Sequence, residues 1–296
     1  MSNSKWETGT TTPTIGVFDS GFGGLTVLRA LLARLPGARF AFLGDTARLP
    51  YGSKSRRTIA RYAVQSAQFL VNQQGAEFLV IACNTASALA LDAIQDAVPV
   101  PVLGVIEPGA EAARAASRTG DVLVIATGAT VESHAYAAAC RARGLCALEK
   151  ACPLLVPLVE EGWIDHTVTA EVIQIYLNEL NAEAAAQGMN PDTLVLGCTH
   201  YPLLRPLLEL VLARVVPAGI RVIDSAEAAA EAAARLFDRH ETETRSPNAQ
   251  FPTEQLPSAQ HLIRCFATDS VEKFERLGSR FLNQPTGKVE LIDLGG

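Results

Sequence analysis

The sequence predicts an α/β protein of two doubly wound, parallel-sheet lobes related by a pseudo-twofold axis, with the active site in the cleft between them. Three observations predict it. Short apolar runs alternate with helix-periodic stretches, the pattern of a parallel sheet covered on both faces. The series strand-loop-helix, strand-loop-helix, cysteine strand, helix, strand runs over 14–106 and again over 121–223. Each series also holds one apolar run halted by a cysteine and small polar residues. These are Phe78-Leu79-Val80-Ile81-Ala82-Cys83-Asn84-Thr85-Ala86-Ser87 and Leu194-Val195-Leu196-Gly197-Cys198-Thr199-His200-Tyr201-Pro202. Either cysteine then stands at the C-terminal edge of its sheet, where open α/β sheets bind ligands. Asn84-Thr85 and Thr199-His200 would supply the turn and cap of a following helix.

In chain order, Thr14–Phe18 is a strand running into Asp19-Ser20-Gly21-Phe22-Gly23-Gly24, followed by a helix from Leu25 to about Leu35. The loop is glycine-rich but has neither the GxGxxG nor the Lys-Ser/Thr ending of nucleotide loops. Its glycines read as a sharp turn that lets backbone approach a small ligand. Arg39–Leu43 is a strand entering Gly44-Asp45-Thr46, and Ala47–Ser55 leads to a helix over Arg57–Gln74. The first cysteine strand follows, with a helix through about Ala97, then a strand over Pro99–Ile106. The helix Ala110–Ser117 opens the second lobe. Asp121–Ala126 is a strand ending in Thr127-Gly128-Ala129-Thr130, a helix through Tyr136 and Arg143 comes next, and Cys146–Cys152 is a further strand. Pro153–Glu161 reads as a loop or short helix and Thr169–Gln187 as a long amphipathic one. The second cysteine strand, a strand at Arg221–Ser225 and an Ala-rich helix Ala226–Leu236 close the series. Residues 239–258 read as a linker. Leu262–Ala267 reads as an edge strand, followed by a helix to Phe281 and a last strand at Val289–Ile292. The expected division is 14–108 plus 224–296 for the first lobe and 109–223 for the second, with 1–13 as a disordered tail.

Composition narrows the class. A chain of 296 residues can bury two medium cores. A net charge of −6 argues against nucleic acid or an anionic membrane as partner. No apolar run approaches the roughly 18 residues needed to cross a bilayer, and Met1–Thr14 lacks the apolar core of a signal peptide. The expectation is a cytoplasmic protein, whose six cysteines are thiols rather than a disulfide framework.

A thiol at a helix start ionises more readily than a free one. Two such thiols on opposite faces of one small molecule suit a two-base reaction, in which one removes a proton from carbon and the other returns one to the far face. Ser20, Asn84, Thr85 and Thr199, with loop N–H groups, can bind carboxylates without formal positive charge. Asp19 and His200 read as titratable residues in matching positions beside the two thiols. A carboxylate raises a nearby thiol's pKa, whereas a substrate ammonium lowers it; the thiolate is expected to form fully only in the closed complex. Zinc on Cys198 and His200 would need further ligands that no CxxC or HxxxH pair supplies. Asp45 reads as a cap or loop anchor, and Cys140, Cys146, Cys152 and Cys265 as core or inert surface.

The segments Gly16-Val17-Phe18-Asp19-Ser20-Gly21, Gly44-Asp45-Thr46-Ala47-Arg48, Pro50-Tyr51-Gly52, Ala82-Cys83-Asn84-Thr85-Ala86-Ser87 and Gly197-Cys198-Thr199-His200-Tyr201-Pro202-Leu203 together resemble glutamate racemases of the aspartate/glutamate racemase superfamily. The resemblance covers roughly 14–236, with Ala126 standing where the family usually carries glycine. It implies interconversion of L- and D-glutamate without cofactor or metal, supplying D-glutamate for bacterial peptidoglycan, and a homodimer. By position, it implies that Cys83 acts on the D-enantiomer with help from Asp19, and Cys198 on the L-enantiomer with help from His200 and Glu160. Implied substrate contacts are Asp19, Ser20, Tyr51, Gly52, Asn84, Thr85, Thr199 and His200, with Thr127 and Thr130 as weaker candidates. The alternatives are a racemase of another small acid, such as aspartate or a hydantoin, and a non-catalytic binder on the same fold.

Overall fold

The computed structural model describes residues 13–216, 219–244 and 263–295. Its strands are β1 (Thr14–Asp19), β2 (Arg39–Gly44), β3 (Phe78–Ile81), β4 (Val102–Gly104), β5 (Asp121–Ala126), β6 (Cys146–Ala151), β7 (Thr193–Gly197), β8 (Arg221–Asp224), β9 (Ile263–Ala267) and β10 (Val289–Leu291). They form two sheets, ordered β10-β9-β2-β1-β3-β4 and β6-β5-β7-β8, and every recorded pairing is parallel. The repeat read from the sequence is real: β2-β1-β3-β4 and β6-β5-β7-β8 have the same order. In each set the chain steps from the starting strand to one side, then returns to the other. The crevices above β1/β3 and above β5/β7 are therefore topological switch points, where α/β sheets hold ligands.

Helices cover both faces. In the first half they are α1 (Leu25–Arg34), α2 (Arg56–Asn72), α3 (Asn84–Leu89) and α4 (Leu91–Ala97). The second half carries α5 (Ile106–Ala116), α6 (Gly128–Glu132), α7 (Ala135–Arg141), α8 (Leu155–Glu160), α9 (Thr167–Ala186) and α10 (Arg205–Val215). Then come α11 (Ser225–Thr244) and α12 (Val271–Leu282). β1 shows why such a strand has no polar side chain from Ile15 to Phe18. Ile15 and Val17 enter one core, with α1, α11 and α12, while Phe18 enters a second, under α2. The first of these cores continues into the second sheet through Leu123, Ile125, Leu194 and Leu196, so one apolar body joins the two halves. Val122 and Val124 point the other way, into a third cluster with α5 and α7.

Several elements differ from the sequence reading. The strand expected over Pro99–Ile106 shrinks to β4, and α5 begins at Ile106 with Pro108 in its first turn, where a missing N–H costs no helical bond. The helix after Cys83 breaks at Ala90 into α3 and α4. β9 is an interior strand, because β10 pairs beyond it. α11 runs to Thr244, so the linker expected at 239–258 begins inside a helix. The rest of that segment and residues 1–12 of the expected tail lie outside the described residues.

Candidate active site

The residues proposed from the sequence converge on one cavity of about 320 Å³. Cys83, Cys198, Asp19, Ser20, Tyr51, Gly52, Asn84, Thr85, Glu160, Thr199 and His200 all line it, as does Thr127. Each sheet contributes its switch point: Asp19 ends β1, Cys83 follows β3, Thr127 follows β5 and Cys198 follows β7.

On the first side, Cys83 itself is the N-cap of α3, and its Sγ accepts the Ala86 N–H at 3.4 Å. The capping role expected of Asn84-Thr85 therefore falls to the cysteine, and Asn84 and Thr85 form the first turn. Cys83 Sγ also lies 3.4 Å from Ser20 Oγ, as donor in the thiol state; a rotated hydroxyl can donate back to a thiolate. Burial pushes the Cys83 thiol up to about 12, and the Asp19 carboxylate adds to the rise. Asp19 is buried too, and that burial raises its own pKa despite His200 and backbone N–H donors. Its Oδ2 accepts from Gly21 N at 2.9 Å, while Oδ1 has no partner among the described residues.

The second side is built differently. Cys198 does not open an α-helix: Tyr201–Leu204 is a 3-10 turn and α10 starts only at Arg205. An imidazole takes the place of the helix end. His200 Nδ1 lies 3.9 Å from Cys198 Sγ and Nε2 3.3 Å from Glu160 Oε1. Burial disfavours charge on His200, but its contacts with Cys198 and Glu160 outweigh this and raise its pKa. For Glu160, burial is likewise outweighed, by His200 and by Lys273, whose Nζ lies 3.6 Å from Oε2, and the carboxyl ends below its ordinary value. Phe281 meets the His200 ring edge-on at 5.0 Å between centroids. Gly23 is required here, because a Cβ at that position would run into Thr199 and His200. The Thr26 hydroxyl then reaches the Thr199 carbonyl at 3.0 Å, tying α1 to the second thiol loop.

Asp45 lies outside the cavity and anchors its rim, accepting from Arg48 Nε (2.9 Å), Thr268 Oγ1 (2.9 Å) and Tyr51 OH (2.6 Å). The Tyr51 hydroxyl is thus committed to Asp45, and burial and that carboxylate hold the phenol protonated. What the Tyr51–Ser53 3-10 turn can offer a ligand is its first backbone N–H groups, which lack intrahelical acceptors. Thr85, Thr127 and Thr130 close a triangle of hydroxyls, with edges of 2.9–3.3 Å, between the halves. The sequence reading missed the apolar wall of Phe22, Leu49, Pro153, Val156 and Pro157; the only signal was the two prolines just upstream of Glu160, one before α8 and one within it. It also missed Tyr136, whose OH donates to Asn84 Oδ1 at 2.7 Å, because a tyrosine in an alanine-rich helix looks like core. Cys140, Cys146, Cys152 and Cys265 line no part of this cavity. Among the described residues, no group of three or more His, Cys, Asp or Glu is placed to hold a metal ion, and no helix is long and apolar enough to cross a membrane.

Two repeated α/β halves, each placing a thiol just past a switch-point strand on a common cavity, define the class as a two-lobed parallel α/β protein with its site between the repeats. The chain belongs to the Asp/Glu/hydantoin racemase family, whose model matches residues 15–233. A glutamate racemase of Koribacter versatilis (strain Ellin345) is 51% identical over 298 residues, spanning 96% of this chain and 98% of that protein. The crystal structure of glutamate racemase from Francisella tularensis subsp. tularensis SCHU S4 in complex with D-glutamate superposes with a TM-score of 0.80 at 32% identity, covering 96% of this chain and 98% of the other. The Escherichia coli glutamate racemase in complex with L-glutamate and activator UDP-MurNAc-ala superposes at 0.70 and 28%, covering 97% and 100%.

Proposed function

We propose that this chain racemises glutamate by a two-thiol mechanism, the two lobes being 14–108 plus 224–296 and 109–223. One thiolate takes the Cα proton: the C–H bond breaks, an S–H bond forms, and the electron pair stays on carbon. The thiol on the other face then gives up its proton to that carbon, leaving the thiol and thiolate exchanged and the stereocentre inverted. Cys83 serves D-glutamate and Cys198 serves L-glutamate. Asp19 assists the first, while His200, held by Glu160, assists the second. Ser20, Asn84, Thr85, Thr199 and the backbone at Tyr51 and Gly52 receive the substrate's carboxylates, and Asp19 faces its ammonium. Closing of the two lobes on the substrate would exclude water and strengthen these interactions. The single observation that carries the reading is the placement of one buried thiol from each half on one cavity of substrate size. In this reading the protein works in the cytoplasm as a homodimer, and its product, D-glutamate, feeds bacterial peptidoglycan.

The test is solvent-deuterium incorporation at Cα of each enantiomer, by the native protein and by Cys83→Ser and Cys198→Ser. The native protein should exchange and invert both. Each variant should lose about 10²–10⁴-fold in racemisation, and the two should differ in which enantiomer still exchanges. Full racemisation by either variant would remove that cysteine from the mechanism. Activity confined to aspartate or a hydantoin would keep the chemistry and change the substrate.

A further inference from the structure

The bond between Tyr136 and Asn84 joins the two halves beside the cavity, with the phenol donating to the amide oxygen. Tyr136, on α7, is fully buried, and burial keeps its phenol protonated and therefore a donor. The ring sits in a slot made by two glycines. A Cβ at Gly109 of α5 would lie 3.2 Å from ring Cε1, and one at Gly197 of β7 would lie 2.9 Å from Cε2. Any side chain at Gly197 would displace the ring. The neighbouring Ser225 hydroxyl donates to the Leu196 carbonyl at 2.8 Å, and the phenol donates to Asn84 Oδ1 at 2.7 Å.

Asn84 has therefore committed its carbonyl oxygen, and what remains is its NH₂. That nitrogen is buried and has no partner among the described residues, although Asn84 lines the cavity. An unmet buried donor costs about 1–3 kcal/mol, a cost that a substrate carboxylate would remove. Resting on the glutamate reading, we propose that Tyr136 is a positioning residue, which holds the Asn84 amide with its NH₂ toward a carboxylate of the substrate. With the phenol gone, the amide can turn over and present its carbonyl oxygen, which repels a carboxylate.

The test is a double-mutant cycle of Tyr136→Phe and Asn84→Ala, read as KM and kcat for both glutamate enantiomers, with thermal unfolding as a check on folding. Tyr136→Phe should raise KM about tenfold, the equivalent of one such hydrogen bond, with a smaller change in kcat. In the Asn84→Ala background the same substitution should change KM by less than about twofold, because the group it acts through is gone. An unchanged KM in the single variant, or a full tenfold effect in the Asn84→Ala background, overturns the proposal. If the native protein turns over no glutamate, the functional reading fails separately. The role of Tyr136 is then decided by the crystal structure of Tyr136→Phe: an Asn84 torsion changed from the native one supports it, and an unchanged torsion overturns it.

Discussion

The two thiols end equivalent strands of a repeated fold, yet their neighbourhoods are not copies. Aligning the four-strand sets places Asp19, the last residue of β1, opposite Ala126, the last residue of β5. His200, two residues past Cys198, aligns with Thr85, two residues past Cys83. The carboxylate and the imidazole are therefore not symmetry mates, contrary to the matching positions read from the sequence. Each half has the strand, the switch point and a thiol, but the charged neighbour of that thiol comes from a different place in each. The first side surrounds its thiol with burial and a carboxylate, which hold it neutral at rest. The second side supplies an imidazole whose pKa is raised, backed by a carboxylate and a lysine. A scaffold can be duplicated whole, whereas its electrostatics must be rebuilt residue by residue.

This asymmetry makes a kinetic prediction with a constraint attached. Enantiomers have equal free energy, so kcat/KM must stay equal in the two directions for every variant of a racemase. A difference between the sides appears instead in which proton transfer limits the rate. The largest effect is expected from Asp19→Asn and His200→Asn, each lowering kcat/KM about 10²–10³-fold. With Cα-deuterated substrates, Asp19→Asn should enlarge the isotope effect mainly on D-glutamate, and His200→Asn mainly on L-glutamate. Equal isotope effects in both variants would break the comparison, since the helpers would then serve both thiols alike.

A smaller effect is expected from Glu160→Gln. Glu160 helps raise the His200 pKa, so its loss lowers that pKa, and the imidazolium disappears at a lower pH as pH rises. The alkaline limb of the pH–rate profile should therefore move to lower pH, with about a tenfold loss near neutrality. A limb that stays in place would show that His200 does not act in its charged form. The smallest effect belongs to Lys273→Met. Lys273 touches the same carboxylate, but its side chain is 45% exposed, and solvent-screened pairs contribute little. A loss of no more than about threefold is expected, shrinking further as salt is added. A larger, salt-insensitive loss would mean that α12 does more than complete the charge relay behind His200.

Much of this was legible in the sequence, because strand ends are the most strongly marked points of a parallel sheet. An apolar run that stops at Cys83-Asn84-Thr85 or Cys198-Thr199-His200 places those side chains at the ligand-binding edge with no knowledge of the packing. The local backbone was less legible. Asn-Thr and Thr-His look like equal helix starts, but Pro202 and Pro206, each lacking a backbone N–H, belong to a segment where a 3-10 turn intervenes before the helix. Least legible were contacts made only when distant segments meet. Lys273 reaches Glu160 from the far end of the chain, and Tyr136 reaches Asn84 from the other half. Neither carries a pattern in its own stretch of sequence, since what recruits it is the shape of the assembled cleft.

The placement of β9 and β10 has a consequence for how the protein is made. These strands extend the first sheet by pairing with β2, and Thr268, just past β9, completes the bonding of Asp45 beneath the Tyr51 rim. All four strands of the second sheet lie between residues 121 and 224, so that sheet can assemble while the ribosome is still translating. The first sheet, begun earlier, must wait with the β2 edge open until residues 263–291 emerge. The half whose synthesis starts first is finished last, and a ribosome that stalled after α11 would release a complete second sheet beside an exposed, pairing-competent strand.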